Sequence, residues 1–243
     1  VTSAQLEQAI TPRTKAVIFS SPCTPTGHIF SRANLEAMAA VLERHPHVFV
    51  IADEIYEYIN FVGEHVSIGS FPSLQGRVIT INGFSKAFAM TGWRVGYLAA
   101  PEWIARACEK VQGQLTYSVC SIAQRAALAA IQGDRSVVHE MTKAYHARRD
   151  LCLTLLENIP GLHCTQPQGA FYLFPDVSTY LGCTDGTTTI QNAQDLCHYL
   201  LHTASVALVP GTAFGAPNHI RISYGATEEK LKIVLARMKA ALA

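Results

Sequence analysis

Asn82-Gly83-Phe84-Ser85-Lys86-Ala87-Phe88-Ala89-Met90-Thr91-Gly92-Trp93-Arg94-Val95-Gly96-Tyr97 is framed by two apolar runs, Val78-Ile79-Thr80-Ile81 and Val95-Gly96-Tyr97-Leu98-Ala99-Ala100. Both runs read as buried strands, because β-branched and aromatic residues dominate them and turn residues bound them. Lys86 then occupies a small-residue turn at a strand end, where open α/β sheets bind ligands. A lysine desolvated there can lose its proton and form a Schiff base with a carbonyl. Arg94 offers a fixed cationic fork suited to a phosphate. Taken alone, such a pair is far more often a surface lysine and a salt-bridged arginine, so the rest of the chain has to overturn that reading.

Upstream, Lys15-Ala16-Val17-Ile18-Phe19-Ser20 reads as a buried strand running into Ser21-Pro22-Cys23-Thr24-Pro25-Thr26-Gly27, a loop whose prolines and glycine exclude regular structure. Ser31 is placed to cap a helix over 32–44 with an apolar stripe of Leu35, Met38, Ala39 and Leu42. Val48-Phe49-Val50-Ile51-Ala52 is a second apolar strand, ending in Asp53-Glu54-Ile55-Tyr56. Strand, helix, strand implies a right-handed crossover in a parallel sheet. Thr24, Asp53 and Lys86 therefore follow strands whose C-terminal ends share one edge.

Downstream, Pro101 opens a helix to about Leu115, a second covers 122–131, and a third of unusual length covers 136–158. A helix that long can bridge domains, which places a boundary near Ala144. Strands at 171–174, 206–209 and 220–223 and helices at 192–203 and 228–242 follow. The expected fold is α/β: a partial, mainly parallel sheet with flanking helices over 1–144, and a smaller C-terminal α+β domain over 145–243.

With 243 residues, 49% of them hydrophobic, the chain can bury a substantial core. A formal net charge of +1 without basic or acidic runs argues against nucleic acid or an anionic membrane as partner and favours a small substrate. No apolar run reaches membrane-span length, and the first residues resemble no targeting peptide, so the expected location is cytoplasmic. Seven scattered cysteines without a C-x-x-C pair suit reduced thiols. His198 and His202 have helical metal-pair spacing beside Cys197, but they lack the intervening Glu and a third ligand, so no metal site is expected.

A lysine, an aspartate, a tyrosine and an arginine at one sheet edge match the needs of pyridoxal 5'-phosphate. The aldehyde needs an amine, the pyridine nitrogen a carboxylate, the 3′-oxygen a donor and the phosphate a cation. At this point the sequence resembles the fold-type I pyridoxal-phosphate aminotransferases of class I, and most closely the bacterial aspartate aminotransferase branch. The resemblance runs through Ser21–Gly27, Ala52–Tyr56, Ser85–Arg94, Gly169-Ala170-Phe171-Tyr172, Pro210-Gly211-Thr212-Ala213-Phe214 and Ile220-Arg221-Ile222-Ser223-Tyr224. It implies that Lys86 is the Schiff-base lysine, that Asp53 pairs with the pyridine nitrogen, that Tyr56 reaches the 3′-oxygen and that Arg94 binds phosphate. Ile55 packs on one ring face, Arg221 grips the substrate α-carboxylate and Phe171 lines the substrate side.

Two positions depart from the family pattern. Thr24 stands where the family usually has the Asn that donates to the 3′-oxygen, and Gly83 where it often has a phosphate-binding serine, leaving Ser85 as the substitute. The family's upstream elements, including the arm that wraps the partner subunit, have no counterpart here. The chain is therefore expected to be either a piece of a longer protein, homodimeric when complete, or a stand-alone relic that cannot hold the cofactor normally.

The implied activity is ping-pong transfer of an amino group from an amino acid, aspartate first, to a 2-oxo acid, 2-oxoglutarate. An aromatic amino acid or prephenate is the alternative substrate. A cofactor-binding effector domain of a transcription regulator is the alternative of another class.

Overall fold

The three apolar runs of the first half pair side by side. β1 (Ala16–Ser20), β2 (Phe49–Asp53) and β3 (Val78–Gly83) are parallel, and β4 (Gly96–Ala99) joins β3 antiparallel, in the order β1-β2-β3-β4. The structure, a computed structural model, describes residues 1–243. α1 (Ser3–Ala9) precedes β1, and α2 (Arg32–Glu43) makes the crossover to β2. Ser31 caps α2 as its sequence suggests. Its Oγ accepts from Asn34 N at 3.2 Å, while Asn34 Oδ1 accepts from Ser31 N at 3.1 Å.

The register decides which residues face the core. Val17, Val50 and Val78 form one row and Phe19, Ala52 and Thr80 another. Alternation puts both rows on one face, where Val50 and Ala52 pack with Leu35, Met38 and Leu42 of α2 and Leu6 of α1. Ile18, Ile51, Asp53 and Ile81 belong to the opposite face. It is less fully covered, with Ile18 71% and Ile81 40% exposed. α3 (Glu102–Leu115) buries no residue, and its Trp103 touches Phe49 only edge-on, with ring centroids 5.8 Å apart. Pro101 caps this helix from outside rather than opening it. α4 (Ser121–Gln132) and α5 (Ser136–Leu156) follow.

The chain divides into two compact units, Val1–Cys23 with Ile29–Met141 and Thr24–His28 with Thr142–Ala243, so the division falls inside α5. The short piece 24–28 goes with the second unit because Gly27 O accepts the amides of both Gln168 and Gly169 at 2.9 Å. Gly27 is in the left-handed region at φ +66°, and a Cβ there would lie 2.4 Å from Pro167 Cβ. Only glycine satisfies both conditions.

The second unit contains β5 (Tyr172–Leu173), α6 (Ala193–Ala204), β6 (Val209–Pro210), β7 (Ile220–Ser223) and α7 (Glu228–Ala241), with an antiparallel sheet ordered β5-β7-β6. Its core joins Leu156, Leu173, Leu196, Leu200, Ile220, Tyr224 and Leu235. The strand expected over 206–209 is displaced. Ser205 closes α6 in the left-handed conformation and Val206 N donates to Leu200 O at 3.1 Å, so the chain first completes the helix end and pairs only at Val209–Pro210. All seven cysteines are free, and burial pushes the Cys152 and Cys197 thiols up to about 11.

Arg77, just before β3, ties α2 to the sheet. Its guanidinium donates to Leu42 O, Val48 O and His45 O at 2.8, 3.1 and 3.0 Å, which satisfies carbonyls at and beyond the helix end. Arg77→Ala is expected to lower the unfolding free energy by about 2 kcal/mol, the scale of charge-assisted hydrogen bonds. Urea denaturation would show this as a lower midpoint with an unchanged slope.

Candidate active site

β2 ends at Asp53, in register with Ser20 of β1 and Ile81 of β3, so the chain leaves all three strands along one edge. The turn after β2 is tight. Ile55 N donates to Asp53 Oδ1 at 3.1 Å, Glu57 N to Glu54 O at 2.9 Å and Ile59 N to Tyr56 O at 2.8 Å. An aspartate that accepts the amide two residues on suits this position, because its carboxylate replaces a backbone acceptor. Tyr56 is buried, and Lys86 Nζ lies 5.7 Å from its ring centroid. The first unit thus brings Lys86, Tyr56 and Asp53 to the edge where the sequence placed them, with Ile55 half-buried beside them.

The lysine turn is held from below. Phe84 and Met90 insert into an apolar cluster with Ala127, and Met90 N donates back to Phe84 O at 3.3 Å. Ala89 and Arg94 both lie in the left-handed region, at φ +53° and +54°. This conformation costs a non-glycine residue about 1–2 kcal/mol. Such residues persist where the surroundings over-determine them, commonly at functional sites. The Arg94 guanidinium is exposed and donates to Thr91 O at 2.8 Å. Ser85 is half-buried next to Lys86.

Gly83 pairs with Gly96 across β3 and β4. A Cβ on Gly83 would lie 2.9 Å from Gly96 Cα and 3.0 Å from Val95 O. The strands approach too closely for a side chain, which explains physically why a serine is absent here.

Nothing in the residue pattern marks the buried polar cluster behind this edge. The Glu54 side chain is 5% exposed, with Oε1 accepting from Ser67 Oγ at 2.7 Å and Oε2 lying 3.0 Å from His65 Nε2. The His65 contact is an ion-pair distance without hydrogen-bond alignment, since neither ring nitrogen has an aligned partner. Glu57 completes the group, its ligand atom within 4.8 Å of the other two. Burial raises the Glu57 carboxyl above its ordinary value, against the lowering effects of the nearby His65, Asn82 and Arg135.

The remaining expected site residues lie in the second unit. Thr24 is half-buried in the piece that pairs with residues 168 and 169. Arg221, on β7, is sandwiched: its guanidinium carbon lies 4.6 Å from the Tyr172 ring centroid and 5.0 Å from that of Phe214. Phe171 packs on Tyr172 at 4.8 Å and stacks on Tyr145 at 5.2 Å.

Comparison with known proteins decides the family. The model for aminotransferase class I and II matches residues 1–238. The chain belongs to this aminotransferase family. It is 45% identical over 98% of its length to a bifunctional aspartate aminotransferase and glutamate/aspartate-prephenate aminotransferase of Petunia hybrida, covering 50% of that protein. It is 43% identical over 99% of its length to an aspartate aminotransferase of Rhizobium meliloti, covering 60% of that protein. The crystal structure of an aspartate aminotransferase from Rhizobium meliloti superposes on the whole chain with a TM-score of 0.95 at 42% identity, 61% of that chain being covered. An aromatic aminotransferase from Pyrococcus horikoshii superposes at 0.90 with 37% identity, 63% of that chain being covered. The chain therefore spans about half to three-fifths of the length of these relatives. No helix is long and apolar enough to cross a membrane.

The close β3–β4 approach makes a specific demand of this chain. Gly83→Ser, which restores the hydroxyl common in the resembled family, is expected to destabilise the fold by about 1–3 kcal/mol through overpacking. It should leave phosphate affinity no tighter. Thermal unfolding and inorganic phosphate titration of parent and variant read the two effects separately.

Proposed function

We propose that the complete protein is a pyridoxal-phosphate-dependent aminotransferase that moves the amino group of aspartate to 2-oxoglutarate. The observation that carries this reading is Lys86 Nζ poised over the Tyr56 ring on the edge where β2 delivers Asp53, within a chain of the aminotransferase family. We further propose that the first unit holds the cofactor and the second the substrate carboxylate, and that the protein works as a homodimer.

The donor set fits the cofactor. An amine, a carboxylate, a phenol and a guanidinium are grouped in one unit, matching an aldehyde, a pyridine nitrogen, a phenolic oxygen and a phosphate. When bound, pyridoxal phosphate supplies an aldehyde that takes up amines and a ring that delocalises the electron pair left when an α-proton departs. Lys86 provides the holding amine. Once an incoming amino acid replaces it, Lys86 Nζ is the base that takes the α-proton and keeps it available for return. Asp53 places negative charge where a protonated ring nitrogen is stabilised. Tyr56 donates to the ring oxygen, and Ile55 supports one ring face. Arg94 and Ser85 serve the phosphate, and Thr24 offers a single hydroxyl where an amide would offer more. Arg221 binds the α-carboxylate as a bidentate fork, and its aromatic neighbours Tyr172 and Phe214 hold the fork's plane and exclude water. Phe171 backs this pocket through Tyr172.

Prephenate is a second acceptor to test, because the Petunia relative and one from Cereibacter sphaeroides carry that activity in their names. The test is a visible spectrum of the protein with pyridoxal phosphate, followed by transamination assays on aspartate with 2-oxoglutarate and on glutamate with prephenate. A band that borohydride fixes and that vanishes in Lys86→Ala is expected, together with aspartate turnover. A parent with no Lys86-dependent band, or with no turnover of acidic donors, would overturn the reading.

Arg221→Lys should keep the band. It should lower kcat/KM for the amino acid about 10- to 100-fold, the scale of one lost charge-assisted hydrogen bond with its geometry.

A further inference from the structure

We propose that Arg135 is a positioning residue whose guanidinium clamps Tyr58 to Phe88 and so fixes the spacing between Tyr56 and Lys86. The inference rests on the functional reading above, since it concerns two groups assigned to the cofactor.

The clamp acts on two matching turns. Tyr56 opens a turn closed by Ile59 N donating to Tyr56 O at 2.8 Å, and Lys86 opens one closed by Ala89 N donating to Lys86 O at 3.3 Å. Tyr58 and Phe88 are the third residues of these turns. Their rings meet edge to face, with centroids 6.1 Å apart and planes at 68°. Arg135 engages both. Its Nη1 donates to the Tyr58 hydroxyl, and its guanidinium carbon lies 5.2 Å from the Tyr58 ring centroid and 5.9 Å from that of Phe88. A cation within about 6 Å of a ring centroid is attracted to the ring face. Each turn is only four residues long, so holding its third residue limits where its first can go. The pair so held is Lys86 and Tyr56, with Nζ 5.7 Å from the ring centroid.

Backbone pairing does not supply this hold. The β2–β3 ladder closes with Glu54 N donating to Ile81 O at 2.9 Å, before either turn begins. Ala89, the fourth residue of the lysine turn, is in the left-handed region at φ +53°, a conformation that persists where the surroundings over-determine it. Phe88 also packs on Phe84, with centroids 5.4 Å apart, and Phe84 belongs to the apolar cluster with Met90 and Ala127.

Arg135 stands on a fixed mount. Gly133 N closes α4 by donating to Ala129 O at 2.9 Å, and Ala127 of that helix packs in the cluster under the lysine turn. Asp134 then starts α5, its carboxylate accepting from Ser136 N at 2.9 Å and from Ser136 Oγ at 2.5 Å. His139 N donates to Arg135 O at 3.1 Å. All of these residues belong to the first unit.

Charge alone would act differently from a clamp. Burial raises the Glu57 carboxyl and Arg135 opposes that rise, which any cation at this place would do. A lysine keeps the charge but has no planar fork to serve two rings and a hydroxyl together. Tyr58→Phe keeps both rings and removes the acceptor, while Phe88→Leu keeps apolar volume and removes one ring face.

The experiment uses the complete protein, with pyridoxal phosphate as the probe. Its readouts are the dissociation constant from equilibrium dialysis, the ratio of circular dichroism to absorbance in the Lys86-dependent band, and the melting temperature of the cofactor-free form. The ratio reports how firmly the bound ring is held in one orientation. A residue that merely supports the fold lowers the melting temperature and leaves the ratio unchanged. Arg135→Ala is expected to weaken cofactor binding about tenfold, the scale of one lost charge-assisted hydrogen bond, and to lower the ratio. Arg135→Lys should stay more than about threefold weaker than the parent. Arg135→Ala combined with Phe88→Leu should bind within about twofold of Arg135→Ala alone, because both changes break the same clamp.

The proposal is overturned if Arg135→Ala binds as the parent does, if its melting temperature falls without the ratio, if Arg135→Lys is less impaired than stated, or if the two losses add. Should Arg135→Ala fail to fold, Tyr58→Phe and Phe88→Leu decide. Weaker binding and a lower ratio in both support the clamp, and either one matching the parent overturns it. A parent lacking the Lys86-dependent band rejects the functional reading and the clamp with it, whereas a parent with the band beside unaffected variants rejects the clamp alone.

Discussion

The parallel pairing of β2 with β3 is the constraint on which the site depends. Parallel strands deliver their C-terminal ends to one edge, and the register Asp53 opposite Ile81 makes the turn after β2 and the turn after β3 leave that edge side by side. A slip of one residue would carry Asp53 to the face packed on α2, among Leu35, Met38 and Leu42. An unpaired carboxylate there costs several kcal/mol. The apolar rows of Val17, Val50 and Val78 thus hold a charged residue in place by excluding it from their own side. Strand β4 then closes on β3 through two glycines, and the excursion between them is the loop that carries Lys86 and Arg94.

Much of this edge is legible in the sequence, because its determinants are local. Continuous β-branched runs mark buried parallel strands, a serine three residues before an asparagine marks the start of α2, and Asp53 and Lys86 each follow such a run directly. What is not legible depends on distant partners. The loop at 24–28 goes with the second unit because Gly27 O meets the amides of residues 168 and 169, far along the chain. The expected strand at 206–209 shrinks because a helix end claims the Val206 amide, which a run of β-formers does not reveal. The roles of the site residues came from likeness to a family, while the reason for Gly83 came from an inter-strand distance.

The buried acids make the same point about charge. Glu54 and Glu57 read in sequence as ordinary solvated residues, since glutamate is rarely buried unless paired. The partners of Glu54, Ser67 and His65, come from the connection that follows the turn, so only the fold assembles the cluster. Two carboxyls so close cannot both ionise cheaply. The protein meets that cost by fixing Glu54 with donors and raising Glu57. The outcome is a polar mount behind the edge, where an apolar mount would hold a turn less specifically.

The two arginines assigned to anions differ in how ready they are. Arg221 is held between two aromatic rings, so its fork is oriented before any carboxylate arrives, and little side-chain freedom is left to lose. Arg94 is exposed and its fork is engaged with the carbonyl of Thr91, so binding a phosphate exchanges one hydrogen bond for another and gains less. With a side chain crowded out at Gly83, the proposed phosphate contacts of this chain are left to Arg94 and Ser85. On the proposed reading, the hold on the cofactor therefore falls chiefly on Lys86, Asp53 and Tyr56. The spacing among those three, set where β2 and β3 end, then matters more than the charge at the phosphate.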